Sequence, residues 1–326
     1  FQAEVAIRDR SPSRGLGDVY KRQLWPEVAS GRRWIGGCRS RDRPGRDQKI
    51  TNMQKNNTAG GSVHLTAPQI ERYARHIVLP EVGGIGQTKL INSKVLVVGA
   101  GGLGSPAVMY LAAAGVGKIG VVDDDIVDVS NLQRQILHTT ARLGMPKVDS
   151  AKCSVKELNP EIEIVPHSER LNVQNVRQLL SSYDLVLDGS DNFSTRFLLN
   201  DACYFSSKTL ISAAILRFEG QVATYKPYLG TGNPCYRCIF PAPPPTGLIP
   251  SCSEGGVFGA LGGVVGSTQS LEALKELLGI GNSLSGYLLI YDGLDTTWRK
   301  VRVKPDPNCP LCGKRPRITD LSEHSE

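Results

Sequence analysis

Three groups of residues in this sequence have types and spacings that chemistry could use. The first is Gly99-x-Gly101-x-x-Gly104, directly after the apolar run Val95–Val98. Glycines in that pattern, between a strand and a helix, let the backbone approach a phosphate closely. The first turn of the following helix then supplies amide donors and partial positive charge. Asp123 closes the next apolar run, 19 positions after Gly104, where a carboxylate would hold a ribose hydroxyl. The pattern implies a nucleotide without saying which one.

The second group is Arg134, Lys147 and Asp191. Lys147 follows Pro146 in the first turn of an expected helix, where the macrodipole disfavours a cation by a few tenths to about 1 kcal/mol. A nearby anion would offset that cost, whereas a solvated surface lysine is the plain alternative. Arg134 follows Ser130-Asn131-Leu132-Gln133 in a loop. Asp191 stands just past the run Leu185–Leu187, at the carboxyl edge where open α/β sheets bind ligands. There it suits Mg²⁺ carried by phosphates or, alternatively, the N-cap of the next helix. Together the glycine loop, the ribose carboxylate, two cations and a Mg²⁺ carboxylate favour a triphosphate over a dinucleotide.

The third group is cysteine. Of eight cysteines, four form the C-x-x-C pairs Cys235/Cys238 and Cys309/Cys312, separated by 70 residues. Two such pairs fit one tetrahedral Cys₄ Zn²⁺ site pinning the end of the chain to its second half, and a redox pair is the alternative for either one singly. This is metal spacing for a reducing compartment rather than a disulfide framework, so a cytoplasmic protein is expected. Cys153 and Cys203 fall in helical patterns and are expected in the core.

The elements that must position these residues alternate. Val95–Val98 leads through the glycine turn to a helix, with Ser105 expected as N-cap, Pro106 at its first position, and an end near Ala114. Ile119–Val122 is a second strand. A helix between Pro146 and Asn159-Pro160 carries Val148, Ala151, Val155 and Leu158 on one buried face. Strand Leu185–Leu187, helix Phe193–Ala202 and strand Thr209–Ala213 continue the alternation. The expected fold is therefore α/β, a doubly wound Rossmann-like and mainly parallel sheet. Gln221–Tyr225, Tyr287–Tyr291 and Trp298–Val303 should add antiparallel strands towards the end of the chain. The proline-rich stretch Pro241–Gly247 is expected to be a loop.

The formal charge of +7 lies outside that body: residues 1–60 hold 13 Lys/Arg against 6 Asp/Glu, and residues 61–326 hold 25 of each. Residues 1–60 read as a disordered tail whose basic run Arg39, Arg41, Arg43 and Arg46 is solvated rather than bound to nucleic acid. Ile7–Gln23 resembles translated adapter sequence, and a native start near Met53 is expected. No apolar run is long enough for a membrane span. The expected organisation is 61–205 as a nucleotide-binding half, 206–313 as a carrier-binding and zinc half, and 314–326 as a tail or linker start.

With these motifs in order, the chain from about Arg72 to Gly313 resembles the ThiF/MoeB/HesA (E1-like) adenylyltransferases. The resemblance rests on Gly99–Gly104, Ser130–Gln135, Gly144-Met145-Pro146-Lys147, Asp188–Asn192 and both C-x-x-C pairs. It implies that ATP and Mg²⁺ are bound by Gly99, Gly101, Gly102, Gly104, Asp123, Ser130, Asn131, Leu132, Gln133, Arg134, Lys147, Asp191 and Asn192. It implies activation of the C-terminal Gly-Gly carboxylate of a ubiquitin-like sulfur-carrier protein, serving molybdopterin, thiamine, tRNA thiolation or cysteine synthesis. It also implies a homodimer in which Arg75 reaches the partner's nucleotide site. Cys252 matches a cysteine that in some members bonds covalently to the carrier, while in others an external persulfide attacks; a sulfurtransferase or persulfide donor is implied either way. Arg317–Glu326 resembles the start of a linker to a rhodanese-like domain. The alternatives are a nicotinamide-dependent dehydrogenase, with His76, His138 and His167 structural rather than catalytic, and a catalytically silent adaptor for a ubiquitin-like protein.

Overall fold

Uninterrupted runs of aliphatic residues make strands that must be covered on both faces. In the computed structural model, which describes residues 65–230, 232–245 and 255–324, Val95, Leu96 and Val97 are fully buried. They belong to β1 (Lys94–Val98), which is followed by α4 (Gly104–Ala114), β2 (Lys118–Val122), α5 (Lys147–Leu158) and β3 (Glu163–His167). Ahead of β1 lie α1 (Ala67–Arg72), α2 (Ala74–Ile77) and α3 (Gly83–Ile91). Next come α6 (Val173–Ser181), β4 (Leu185–Asp188), α7 (Phe193–Phe205), β5 (Thr209–Leu216), β6 (Glu219–Tyr225), α8 (Gly259–Leu278), β7 (Tyr287–Asp292) and β8 (Thr297–Arg302).

The strands form one eight-stranded sheet in the order β3-β2-β1-β4-β5-β6-β7-β8. It is parallel from β3 to β5 and antiparallel from β5 to β8, as the sequence leads one to expect. Side-chain alternation divides the core. Val95, Val97, Leu185 and Leu187 face a layer built from α4, α5 and α8, while Leu96, Val98 and Val186 face α6 and α7. Each fully buried aliphatic side chain contributes about 1.5–3 kcal/mol relative to exposure. Among the described residues no helix is long and apolar enough to cross a membrane.

Several expectations need correction. Helix α4 begins at Gly104, with Leu103 at the cap position, so Ser105 is not the N-cap and Pro106 is not the first residue. Ser105 is buried, its hydroxyl donating to the Ala100 carbonyl at 3.3 Å. The turn closes early because Gly104 lies so near Gly99 that a Cβ there would stand 1.8 Å from the Gly99 oxygen. Cys153 is exposed on α5 rather than in the core, and Leu158 is 36% exposed at the frayed end of the face that Val148, Ala151 and Val155 bury. Cys203 is buried as expected, and burial pushes its thiol up, away from reactivity. The tail 1–60 with its basic run, Met53, Cys38, Cys252, Thr246 and Gly247 lie outside the described residues.

Elements α3, β3, α6 and α8 carried no clear sequence signal. The largest is α8, where Gly259, Gly262, Gly263 and Gly266 give the helix's first half the composition of a loop. Gly262 and Gly266 are needed because α8 crosses the glycine loop and the start of α4: a Cβ on Gly262 would stand 2.6 Å from the Gly102 oxygen, and one on Gly266 would stand 2.5 Å from the Leu103 oxygen and 2.6 Å from Pro106 Cγ. Gly266→Val therefore overpacks a backbone-to-backbone contact. It should cost about 2–3 kcal/mol and lower the thermal midpoint by roughly 5–10 °C, read by calorimetry; an unchanged midpoint would show that the helices separate freely.

Candidate active site

In a sheet ordered β2-β1-β4, the chain leaves β1 towards one edge and leaves β4 towards the other, so a crevice opens at their carboxyl ends. The glycine loop follows β1, Asp123 follows β2, and Gly189-Ser190-Asp191-Asn192 follows β4. They meet in one cleft of about 350 Å³ whose walls include Gly99, Gly101, Gly102, Asp123, Asn131, Arg134, Lys147, Asp191 and Asn192. These sequence-selected residues are brought together. Gly104, Ser130, Leu132 and Gln133 are not among the lining side chains. Gln133 instead packs against the start of α8, and Ser130 offers its carbonyl to the Arg134 guanidinium at 3.0 Å.

The glycine loop is held from both sides. Asp123 Oδ2 accepts from the Ala100 amide at 2.7 Å and Oδ1 from the Asp125 amide at 2.9 Å, so this carboxylate fastens the loop and retains lone pairs for a ligand hydroxyl. Gly99 has φ +93°, and a Cβ there would stand 2.8 Å from the Gly189 oxygen. The segment 134–138 backs the loop one residue after another. Arg134 methylenes lie 3.5 Å from the Cβ position of Gly102, the Gln135 amide nitrogen lies 3.8 Å from that of Gly101, and His138 Nε2 meets the Ala100 carbonyl at 3.0 Å.

Lys147 opens α5 as expected. Its ammonium is 6% exposed and pairs with Asp125 at 2.7 Å, and Asp125 is 70% exposed at the cleft wall. This carboxylate offsets the unfavourable dipole, and its exposure leaves the lysine free to trade it for a ligand anion. The capping of α7 falls to Asn192, whose side chain accepts from the Thr195 amide at 2.9 Å. Asp191 is thereby released from that duty and stands exposed in the cleft. Arg75 is exposed on α2 and does not line this cleft.

Three residues at the site escaped sequence reasoning. Gln135 is 3% exposed, lines the cleft, and keeps its Oε1 without a hydrogen-bond partner. Arg170 lines the cleft from the loop after β3, and Arg196 lines it from α7. For Arg170 and Arg196 the signal is topological, since each follows the carboxyl end of a strand, whereas Gln135 ends the Ser130–Gln135 segment that carries the resemblance.

In the second half of the chain, Cys235, Cys238, Cys309 and Cys312 place their sulfurs within 4.8 Å of one another. Neighbouring sulfurs are 3.4–3.9 Å apart. Four thiolates around an ion at about 2.3 Å have tetrahedron edges of about 3.8 Å, so this cluster can hold a metal. Arg237, between two of the cysteines, makes a bidentate pair with Asp201 of α7 at 2.7–3.1 Å. Burial pushes the Asp201 carboxyl up, but His324, Arg237 and Asn200 overcome this and hold it below the usual carboxylate value.

The chain is similar to known proteins over most of its length. Residues 73–311 match the ThiF family. The chain is 50% identical over 261 residues to the sulfur carrier protein adenylyltransferase of Thermus thermophilus, covering 79% of this chain and 96% of that one. It is 49% identical over 265 residues to the adenylyltransferase and sulfurtransferase MOCS3 of Drosophila sechellia, covering 80% of this chain but 58% of that protein. Among solved structures, that of E. coli MccB with MccA-N7isoASN superposes with a TM-score of 0.65 at 21% identity, covering 84% of this chain and 83% of that one. That likeness establishes the fold.

The buried imidazole behind the loop makes the site pH-sensitive. His138 Nδ1 meets the Ser150 hydroxyl at 2.9 Å, and burial, with Lys147 and Arg142 nearby, lowers its pKa against the opposing pull of Ala100 and Asp123. Between that lowered value and about 6.5 the unfolded chain binds more protons. Its contribution is thus present at neutral pH and fades as pH falls below about 6.5. Urea midpoints should drop between pH 7.5 and 5.5, and drop less in His138→Gln; equal drops would exclude His138 as the source.

Proposed function

The chain belongs to the ThiF family, and from that premise we propose that it adenylylates the C-terminal Gly-Gly carboxylate of a ubiquitin-like sulfur carrier, with the cleft as its ATP site. The observation that carries this reading is a junction. At Asp191, Arg196 and Ile215 the polar cleft meets an apolar groove of about 240 Å³ running over β5, β6 and β7. A triphosphate and a slender peptide tail can therefore meet end to end. Nicotinamide chemistry has no comparable use for such a groove, and the presence of Arg134, Lys147 and Asp191 together in the cleft argues for activity over a silent adaptor.

The reaction needs little proton chemistry. A terminal carboxylate is already ionised at neutral pH. Its oxygen attacks the α-phosphorus of ATP, the bond from that phosphorus to the bridging oxygen breaks, and pyrophosphate leaves with the electron pair. The chain has to align the two reactants and neutralise charge on the departing phosphates. The amides of Gly101 and Gly102 and the start of α4 face the phosphates, Asp123 takes the ribose, and Arg134 and Lys147 supply positive charge. The bare Asp191 carboxylate, which pairs with no group among the described residues, suits Mg²⁺ brought by the nucleotide. That ion would neutralise phosphate charge.

The cysteine cluster suits a structural Zn²⁺, since it offers a full set of thiolates at tetrahedral spacing and leaves no open position. Arg75 is assigned to the site of a second copy, and Val78, Leu79, Ile85, Ile126, Val129 and Ile136 supply exposed apolar surface for such a homodimer. We assign 61–205 to nucleotide binding and 206–313 to carrier and zinc binding. The sulfur comes from a sulfurtransferase or persulfide donor in the cytoplasm and reaches the carrier either through a covalent bond of Cys252 or directly.

The test is exchange of labelled pyrophosphate into ATP with carriers ending in Gly-Gly. Exchange should depend on carrier and be abolished by Asp191→Ala, while Arg134→Met and Lys147→Met should each slow it by about 10²–10³-fold. Exchange independent of any carrier would sink the reading. Metal analysis should give one zinc per chain, lost in Cys309→Ser together with several degrees of thermal midpoint.

A further inference from the structure

We propose that Arg196, anchored to the Ser190 carbonyl beside Tyr236, is the residue that receives the terminal carboxylate of the incoming tail. The proposal deepens the adenylation reading and rests on it. Arg196 lies one helical turn into α7 and lines both the nucleotide cleft and the apolar groove. Among the described residues that line the groove it is the sole cation, alongside the acids Asp191 and Glu219.

Electrostatics at the junction require such a group. A carboxylate arriving through the groove comes up against Asp191 at the junction, and two carboxylates brought together in a partly desolvated passage repel unless a cation stands between them. Arg134 and Lys147 line only the nucleotide cleft. Arg196 is present at the junction, and a guanidinium has donors to spare. One nitrogen, Nη2, donates to the Ser190 carbonyl at 2.6 Å. That bond ties it to the loop carrying Asp191.

The other support comes from the cysteine knuckle. Tyr236 sits between Cys235 and Cys238, and its amide donates to Asn200 Oδ1 at 2.8 Å, which fixes the knuckle to α7. Its ring packs against Phe197, Tyr225 and Phe240 at centroid distances of 5.1, 6.0 and 4.9 Å. It lines the groove together with Arg196. The guanidinium is thus anchored to a loop carbonyl, beside a ring fixed by its own packing, before any substrate arrives, a preorganised receiver for a carboxylate. The groove beside it is floored by Ala213, Ala214 and Ala223, side chains that leave room for a backbone and little else. A tail of glycines fits that description.

The test crosses the charge of the tail with the charge of the receiver. A carrier ending in a free Gly-Gly carboxylate and the same carrier ending in a carboxamide are titrated onto the full chain, and ATP is titrated separately without carrier. The free acid should bind the unmodified chain at least tenfold more tightly than the amide. Arg196→Gln should erase that difference while ATP affinity stays within about twofold, and Arg196→Lys should restore part of it. Persistence of the acid-over-amide preference in Arg196→Gln, or loss of ATP affinity with intact thermal stability, would overturn the proposal. An unmodified chain with no carrier-dependent exchange would instead overturn the adenylation reading, and this one with it.

Discussion

Two parallel strands whose chains depart in opposite directions cannot both be roofed at their carboxyl ends, and the chemistry of this protein collects at that opening. β1 and β4 are neighbours in the sheet; their following segments lead to opposite edges, and the loops after them are pressed so closely that a Cβ on Gly99 would stand 2.8 Å from the Gly189 oxygen. Everything else at the site is arranged around that contact. Asp123 and His138 fasten the loop from either side, α8 closes over its far end, and Lys147 is delivered by the helix that starts beside Asp125.

The charged groups follow from the same constraint. A loop of backbone amides can grip an anion but cannot neutralise a triphosphate, so cations must be brought from elements some distance apart in the chain. Until the ligand arrives those cations need partners. Lys147 has Asp125, and Arg134 has the Ser130 carbonyl. Each partner is a surface carboxylate or a single carbonyl, weak enough to be exchanged. At the other end of the sheet the problem is reversed. Edge strand β8 is exposed along its length and carries Arg299, Lys300 and Arg302, charges that discourage further strand pairing.

Much of this was legible in the sequence because its signals are local. A glycine turn between an aliphatic run and a helix, an acid after the next run and two C-x-x-C pairs each occupy a few residues. They identified the sheet, the cleft and the cysteine cluster. What stayed hidden depends on contacts between distant segments. Helix α8 is rich in glycine because it crosses the start of α4, and no window of sequence displays that crossing. Strand β3 contains Pro166, tolerated because it runs along the sheet's edge. The exposure of Cys153 turned on which side of α5 faces its neighbours. Arg196 went unnoticed because its place at the junction exists only once β4, β5 and the knuckle are assembled.

The strand order also sets a timetable for synthesis. β1 is complete at Val98, yet the partner on its other flank, β4, ends only at Asp188. At a ribosomal pace of 5–20 residues per second, that delay lasts on the order of 5–20 s. During it, Leu96 and Val98 have no layer to cover them, since α6 and α7 have not yet been made or folded back. A nascent chain with a half-finished parallel sheet presents one bare apolar face and one open strand edge. Holdase chaperones bind such surfaces, and neighbouring nascent chains can stick to them. The topology that opens a catalytic crevice in the finished protein thus leaves the same strand unprotected during its birth.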